Sequence, residues 1–295
     1  PVQEAKWGLA VIEDSLWNSV PKICSRLDEA VQKYSGKKLP IHYSPFKFGS
    51  WMGGDRDGNP NVDHKITKEV ILLSRWEAAN LYEKNLTKII QDLSMHECSH
   101  KIRKVVGNSQ EPYRVYLRPI RSKLKNTQKE IENFLNEKKQ LNKNLLVNSI
   151  QEIIDPLTTV YESLCSVKCK ALADGEVLDL IRRAYSFGLN LAKLDIRQEA
   201  SRHSSLISKF YKIKTKKSYF NLTEKQKISF LIKLIKANKK VNFNKIKLSS
   251  EDKETWNTFK LLGQTPLECL GAYVISMASS SSDVLAVMFF KKQLV

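Results

Sequence analysis

A cluster of charged residues follows a short apolar segment near residue 50. Asp55, Arg56 and Asp57 come directly after the pair Gly53-Gly54. The apolar segment before them, which is typical of a short buried strand, carries the aromatic residues Phe46, Phe48 and Trp51. Two consecutive glycines let a backbone turn sharply or approach a ligand closely. A strand that delivers carboxylates and a guanidinium to one point resembles the carboxyl end of an α/β-barrel strand, where active sites lie.

Two other interpretations of this charged turn compete with an active-site loop. A tight loop with solvated charges would carry the same residue types. A calcium-binding EF-hand loop would use Asp55, Asp57 and Asn59 as its first three ligands, but it requires glycine where Pro60 stands and a bidentate glutamate where Ile66 stands. The EF-hand interpretation therefore fails.

A second polar cluster follows the alternating segment 189–198, which is typical of a strand. Arg197 and Gln198 stand at its carboxyl end, and Arg202 and His203 follow shortly after. In a parallel barrel this position faces the active site. The alternative is a surface charge cluster at the start of the next helix.

The remaining metal-type ligands do not form a convincing site. His96, Cys98 and His100 are spaced by two, which does not place them on one face of a helix. We therefore favour a polar helix end over a zinc site. The 5 cysteines are irregularly spaced and no secretory signal precedes them, which predicts reduced thiols in a cytoplasmic protein.

Apolar periodicity predicts a mainly helical α/β fold. Three short strands are expected near residues 46–52, 190–197 and 272–277, adjacent and parallel, with helical insertions at about 67–188 and 204–262. Thr67 is the expected N-cap of the first long helix after the charged turn.

The chain is strongly basic, with 49 Lys and Arg against 31 Asp and Glu and a net charge of +18. This charge raises the hypothesis of a non-enzymatic, basic nucleic-acid-binding module. Few aromatic residues interleave with the basic ones, and no nucleic-acid motif is present, so solvated helix faces are favoured. No apolar run approaches the ~20 residues that cross a bilayer, so no membrane partner is expected.

Segments of the chain resemble one enzyme family. Residues 51–62 resemble a signature of phosphoenolpyruvate carboxylase over their whole length. Residues 194–199, together with Arg202 and His203, resemble a second motif of that family, which has serine in place of Ala200. Residues 273–278 and 282–286 also resemble the family, and the similarity extends over nearly all of the chain.

The resemblance implies a fragment of a larger fold. The family has a (β/α)₈ barrel elaborated with helices and assembles as a homotetramer. The chain would carry about three of its strands and form one partial domain over residues 1–295. It begins with Pro-Val-Gln-Glu and stops inside an apolar helical pattern, as an internal fragment would.

The resemblance also implies a reaction, in which phosphoenolpyruvate and bicarbonate give oxaloacetate and phosphate with Mg²⁺ or Mn²⁺. Arg197 matches an arginine that binds the substrate phosphate, and Trp51 matches a tryptophan that lines the pocket around the substrate methylene. Asp55, Arg56 and Asp57 match a loop beside that pocket. The family's catalytic histidine motif and metal-binding carboxylates have no match here, so no catalytic residue or metal ligand is assigned within this chain.

Overall fold

The computed structural model describes residues 1–57, 59–137, 139–237, 240–243 and 246–294, and it is mainly helical. The helices are α1 (Val2–Val11), α2 (Trp17–Ser35), α3 (His64–Asp92), α4 (His100–Val106), α5 (Pro112–Glu137), α6 (Gln151–Ser166), α7 (Lys170–Leu172), α8 (Leu178–Phe187), α9 (Ala200–Thr215), α10 (Glu224–Lys236), α11 (Ser250–Gln264) and α12 (Ser281–Lys292). The strands are β1 (Gly49–Ser50), β2 (Lys193–Glu199) and β3 (Leu270–Ser276). No helix of the described ranges combines the length and apolar character that a membrane crossing requires.

The chain divides into two compact units. The first contains residues 1–2, 50–70 and 194–295, and the second contains residues 3–49 and 71–193. Helix α3 therefore begins in the first unit, and its residues from Ile71 onward belong to the second.

The three strands form one sheet in the order β1-β2-β3. Strands β2 and β3 are parallel, with Ile196 opposite Tyr273 and Glu199 opposite Ser276, and the register is irregular between Leu194 and Ile196. Each strand overlaps its expected position, although β1 has only two residues of the expected 46–52, and the parallel β2–β3 pairing is confirmed. Because apolar alternation and flanking turns are local signals, they predicted these strands despite long intervening segments.

The two faces of β2 differ in burial. Leu194, Ile196 and Gln198 are buried, whereas Arg197 is exposed and Asp195 is half-buried. Successive residues of a strand point to opposite faces of the sheet. One face of β2 is therefore covered, and Arg197 lies on the open one.

The core of the first unit is aromatic. It includes the fully buried rings of Phe243, Phe259, Phe289 and Phe290. Helices α9, α10, α11 and α12 surround this core, and α10 packs along α12. This helical layer holds β2 and β3 in place, because a sheet face must be covered to remove its apolar side chains from water.

The second unit is a helical assembly in which α8 packs against α2 and α6, and α4 against α5. Tyr82 and Tyr113 are fully buried there, and both hydroxyl groups have partners: Tyr82 donates to the carbonyl of Gly188, and Tyr113 is bonded to the hydroxyl of Ser163. These bonds remove the cost of burying a polar group without a partner.

The expected N-cap at Thr67 is wrong. Helix α3 begins at His64, and the Oδ1 atom of Asp63 accepts the N–H groups of Lys65 at 2.9 Å and Ile66 at 2.8 Å. Asp63 thus satisfies donors of the first turn, which is the function of an N-cap residue. Thr67 lies one turn inside the helix and is fully buried.

Candidate functional site

The charged turn begins at Trp51, whose carbonyl accepts the N–H groups of Gly54 at 2.9 Å and Asp55 at 3.0 Å. Gly53 has φ +81°, a conformation that favours glycine. A Cβ atom on Gly54 would lie 2.0 Å from the carbonyl oxygen of Asp195, on β2. Both glycines are therefore required for the turn to lie directly against the strand.

Backbone hydrogen bonds fix the turn to β2. The N–H of Arg197 donates to the carbonyl of Gly54 at 3.0 Å, and the N–H of Arg56 donates to the carbonyl of Arg197 at 3.0 Å. Asp55 and Arg197 form an isolated parallel bridge. Arg197 of the second polar cluster therefore lies in one site with the charged turn, as their positions after neighbouring strands predict.

Arg197 is held between two carboxylates. Its Nη2 atom lies 2.8 Å from Oδ2 of Asp57, and its Nη1 atom lies 3.8 Å from Oδ2 of Asp55. The N–H of Asp57 also donates to Oδ1 of Asp55 at 3.0 Å. The side chain of Arg197 is 47% exposed. Ion pairs at such exposure add little stability, so their consequence is mainly the orientation of a guanidinium that a ligand can reach.

Arg56 occupies the same turn, but its side chain points into the interior, where the residue is 9% exposed. Its Nη1 atom donates to the carbonyl of Gly54 at 3.0 Å, and its Nη2 atom donates to the hydroxyl of Thr67 at 2.5 Å. Burial lowers the pKa of the Arg56 guanidinium, and the nearby carboxylates of Glu254 and Asp63 partly oppose this effect. The sequence pattern placed all three charges on one turn, and only the structure shows that the middle one lies inside.

Thr67 is a site residue that the sequence analysis did not identify. Its hydroxyl lies 2.8 Å from the carbonyl of Gly53 and 3.0 Å from the carbonyl of Asp63, and it accepts from Arg56. A threonine four residues after a helix N-cap is common, so its sequence context carried no signal for contact with the turn.

Trp51 stands at the start of the turn and is 66% exposed. The expectation that it is buried within a strand is wrong, because β1 ends at Ser50. Phe46 and Phe48, which precede the strand, are half-buried. An exposed indole beside a charged turn offers an apolar surface to a ligand.

One group of metal-type ligands lies close together within the described residues. Asp63, His64 and Glu254 offer ligand atoms within 4.8 Å of one another, and they form the one such group in the described ranges. Glu254 already binds the backbone N–H and the ring Nδ1 of His64, both at 2.5 Å. Mg²⁺ requires near-octahedral oxygen ligation, which this group does not supply, so the group does not fit that metal. His96, Cys98 and His100 form no such group.

A polar cleft of about 460 Å³ lies in the first unit beside Arg56 and Gln198. Arg202 and Glu251 line it and pair at 2.6 Å, and Glu254 also lines it. Because Gln198 and Arg197 point to opposite faces of β2, this cleft is separate from the open face that carries Arg197.

Comparisons with known proteins agree with the motifs. The family model described as phosphoenolpyruvate carboxylase matches residues 1–294. Curated relatives named phosphoenolpyruvate carboxylase include those of Psychromonas ingrahamii, 42% identical over 99% of this chain, and Vibrio vulnificus, 41% identical over 97% of it. The relative from Hahella chejuensis is 41% identical over 99% of the chain. The matches cover 33% of each of these three relatives, so the chain spans about a third of their length.

Proposed function

Because this chain belongs to the phosphoenolpyruvate carboxylase family, we propose that it is part of an enzyme that joins phosphoenolpyruvate and bicarbonate to give oxaloacetate and phosphate. Such an enzyme replenishes the tricarboxylic acid cycle. The role of this chain is to bind the substrate. The observation that carries the proposal is the exposed Arg197 guanidinium, which is held by Asp57 and Asp55 at the carboxyl end of β2.

Arg197 binds the substrate phosphate. A guanidinium presents donors in a planar fork that matches two phosphate oxygens, which a lysine ammonium cannot do. Asp55 and Asp57 each contact one terminal nitrogen of that fork. The carboxylates fix the direction of the guanidinium, and its remaining N–H groups stay available to an anion.

Trp51 packs against the methylene of phosphoenolpyruvate. It is exposed, it begins the turn that carries Asp55 and Asp57, and its own carbonyl closes that turn. A flat apolar surface next to a charged group suits a substrate with a small apolar end and an anionic end.

We propose that the sheet is part of a (β/α)₈ barrel and that both compact units belong to one partial domain over residues 1–295. Three observations support this proposal. Strand β3 is an edge of the described sheet, and its Val274 is 41% exposed. The Arg197 face of β2 is open. Helix α12 exposes Val284 and Met288, four residues apart on one face. Neighbouring strands and helices of a barrel would cover the edge of β3 and the exposed face of α12, and the Arg197 face would line the barrel mouth, where substrates bind.

The remaining parts of the active site lie outside this chain in the proposal. These parts are the catalytic histidine and the carboxylates that would hold Mg²⁺ or Mn²⁺. When bound, the metal ion would supply positive charge that stabilises the negative charge developed in the reaction. The complete enzyme is a cytoplasmic homotetramer. The nucleic-acid-binding alternative is not favoured by the comparisons.

The test is an oxaloacetate assay, coupled to oxidation of NADH, on the complete enzyme that carries this chain. We expect turnover that requires phosphoenolpyruvate, bicarbonate and a divalent cation. Complete enzyme that binds phosphoenolpyruvate but forms no oxaloacetate under these conditions would contradict the proposal. A gel shift with RNA and DNA at physiological ionic strength would reveal the nucleic-acid alternative, since such binding is salt-dependent.

A further inference from the structure

We infer that Thr67 is a positioning residue for Arg197 and that it acts through Arg56 and the Gly53-Gly54 turn. The inference rests on the proposed function, in which Arg197 binds the substrate phosphate. Thr67 belongs to α3, has no exposed surface, and cannot contact a ligand itself.

The contacts form a continuous chain from Thr67 to the backbone of Arg197. The Thr67 hydroxyl lies 2.8 Å from the carbonyl oxygen of Gly53 and accepts from Nη2 of Arg56 at 2.5 Å. Nη1 of Arg56 donates to the carbonyl of Gly54 at 3.0 Å. That same carbonyl accepts the backbone N–H of Arg197, also at 3.0 Å. Thr67 therefore holds the carbonyl of Gly53 directly and, through Arg56, the carbonyl of Gly54 that pairs the turn with β2.

The turn has an inner and an outer side. Arg56 points inward to Thr67, while its neighbours Asp55 and Asp57 both contact the Arg197 guanidinium. Consecutive residues share one backbone, so a shift of the Arg56 backbone that follows the loss of its side-chain anchor displaces both carboxylates. Displacement of the carboxylates changes the direction of the guanidinium that they orient.

Among the described residues, Thr67 is the hydrogen-bond partner of Nη2 of Arg56, and Nη1 is already engaged by the carbonyl of Gly54. The Nε atom of Arg56 is buried and has no hydrogen-bond partner among the described residues. Removal of the Thr67 hydroxyl would leave Nη2 of Arg56 without this partner. A buried donor without a partner is costly, so Arg56 and the turn would rearrange rather than keep their geometry.

Thr67→Val removes the hydroxyl and nearly preserves the shape of the side chain. We expect about a tenfold loss of kcat/KM for phosphoenolpyruvate in the complete enzyme, less than a direct change of Arg197 produces. Thr67→Ser keeps the hydroxyl and should restore most of the activity. The matched control is Thr159→Val, because Thr159 is also buried in a helix and its hydroxyl donates to the carbonyl four residues earlier, at Asp155. The Thr159→Val substitution should leave kcat/KM unchanged.

A double-mutant cycle separates positioning from general destabilisation. If Thr67 acts through Arg197, Thr67→Val should cause little further loss in an Arg197→Lys background, because coupled residues are non-additive. Losses that multiply would overturn the inference, as would equal effects of Thr67→Val and Thr159→Val.

The outcomes also distinguish this inference from the proposed function. If Arg197→Lys itself leaves kcat/KM unchanged, both fail. If Arg197→Lys is impaired and Thr67→Val is not, only the positioning role of Thr67 fails. Should Thr67→Val not yield folded enzyme, Arg56→Lys asks the same question, because one ammonium cannot bridge Gly54 and Thr67 as the guanidinium does. Arg56→Lys with wild-type kcat/KM would then overturn the inference.

Discussion

Replacement of Arg197 with lysine changes the geometry of the proposed phosphate contact while it keeps the positive charge. The guanidinium spans two carboxylates, with Nη2 at 2.8 Å from Asp57 and Nη1 at 3.8 Å from Asp55. A lysine ammonium is a single point donor and can remain close to Asp57 alone. It therefore loses both its orientation by two carboxylates and the paired donors for two phosphate oxygens.

The size of the effect follows from the lost contacts. A hydrogen bond to a charged group contributes roughly 1.5–3 kcal/mol, and the phosphate contact strengthens as charge develops in the transition state. We therefore expect Arg197→Lys to lower kcat/KM by about 10²-fold, which corresponds to about 3 kcal/mol of transition-state stabilisation. The half-exposed position of Arg197 limits any loss of folding stability.

Steady-state kinetics on the complete enzyme measure this effect. Arg103→Lys is a control for the loss of an arginine fork, because Arg103 donates to the carbonyls of His96, Gly107 and Ser109 in the second unit. Arg103→Lys should lower thermal stability and leave kcat/KM unchanged. If Arg197→Lys retained near wild-type kcat/KM, Arg197 would be a surface residue and the reasoning from its geometry would be refuted.

Three further predictions concern the substrate pocket, pH and the isolated chain. Trp51→Ala removes an exposed apolar surface and should raise KM before it lowers kcat, and an unchanged KM would exclude Trp51 from the pocket. Burial lowers the pKa of His203 to about 4, so the folded state favours the neutral ring, whose Nε2 is bonded to the hydroxyl of Tyr273 at 2.7 Å. The His203 contribution to the free energy of unfolding is complete above the unfolded-state pKa of about 6.5, and up to roughly 3 kcal/mol of it is lost as the pH falls toward 4, because the unfolded chain then binds the proton more readily. The melting temperature should therefore fall between pH 7 and 5 more steeply than in His203→Gln. Equal slopes in the two proteins would contradict this prediction. Residues 1–295 alone should form no oxaloacetate with or without Mg²⁺. They should also associate or remain partly molten, because β3 offers an open sheet edge. Metal-dependent turnover, or a sharp two-state melt of a monodisperse monomer, would contradict the fragment proposal.

The sequence by itself determined the local features of the fold. Alternating apolar residues located β2. Thr223 and Gln226 form the capping box of α10, and Gly188 follows the end of α8 with φ +69°. These features depend on backbone preferences and side chains within a few residues, so a short window of sequence contains the information. The barrel, by contrast, stays a prediction, because the described residues form a sheet of three strands.

Only the tertiary structure decided how the site residues are used. The sequence singled out Asp55, Asp57 and Arg197 separately, but their contact depends on the pairing of segments 140 residues apart. Thr67 was expected at a helix start and instead anchors Arg56 in the interior. Burial and partner choice are set by which distant segments close over a side chain, and a cation such as Arg56 looks the same in sequence whether it faces water or the core.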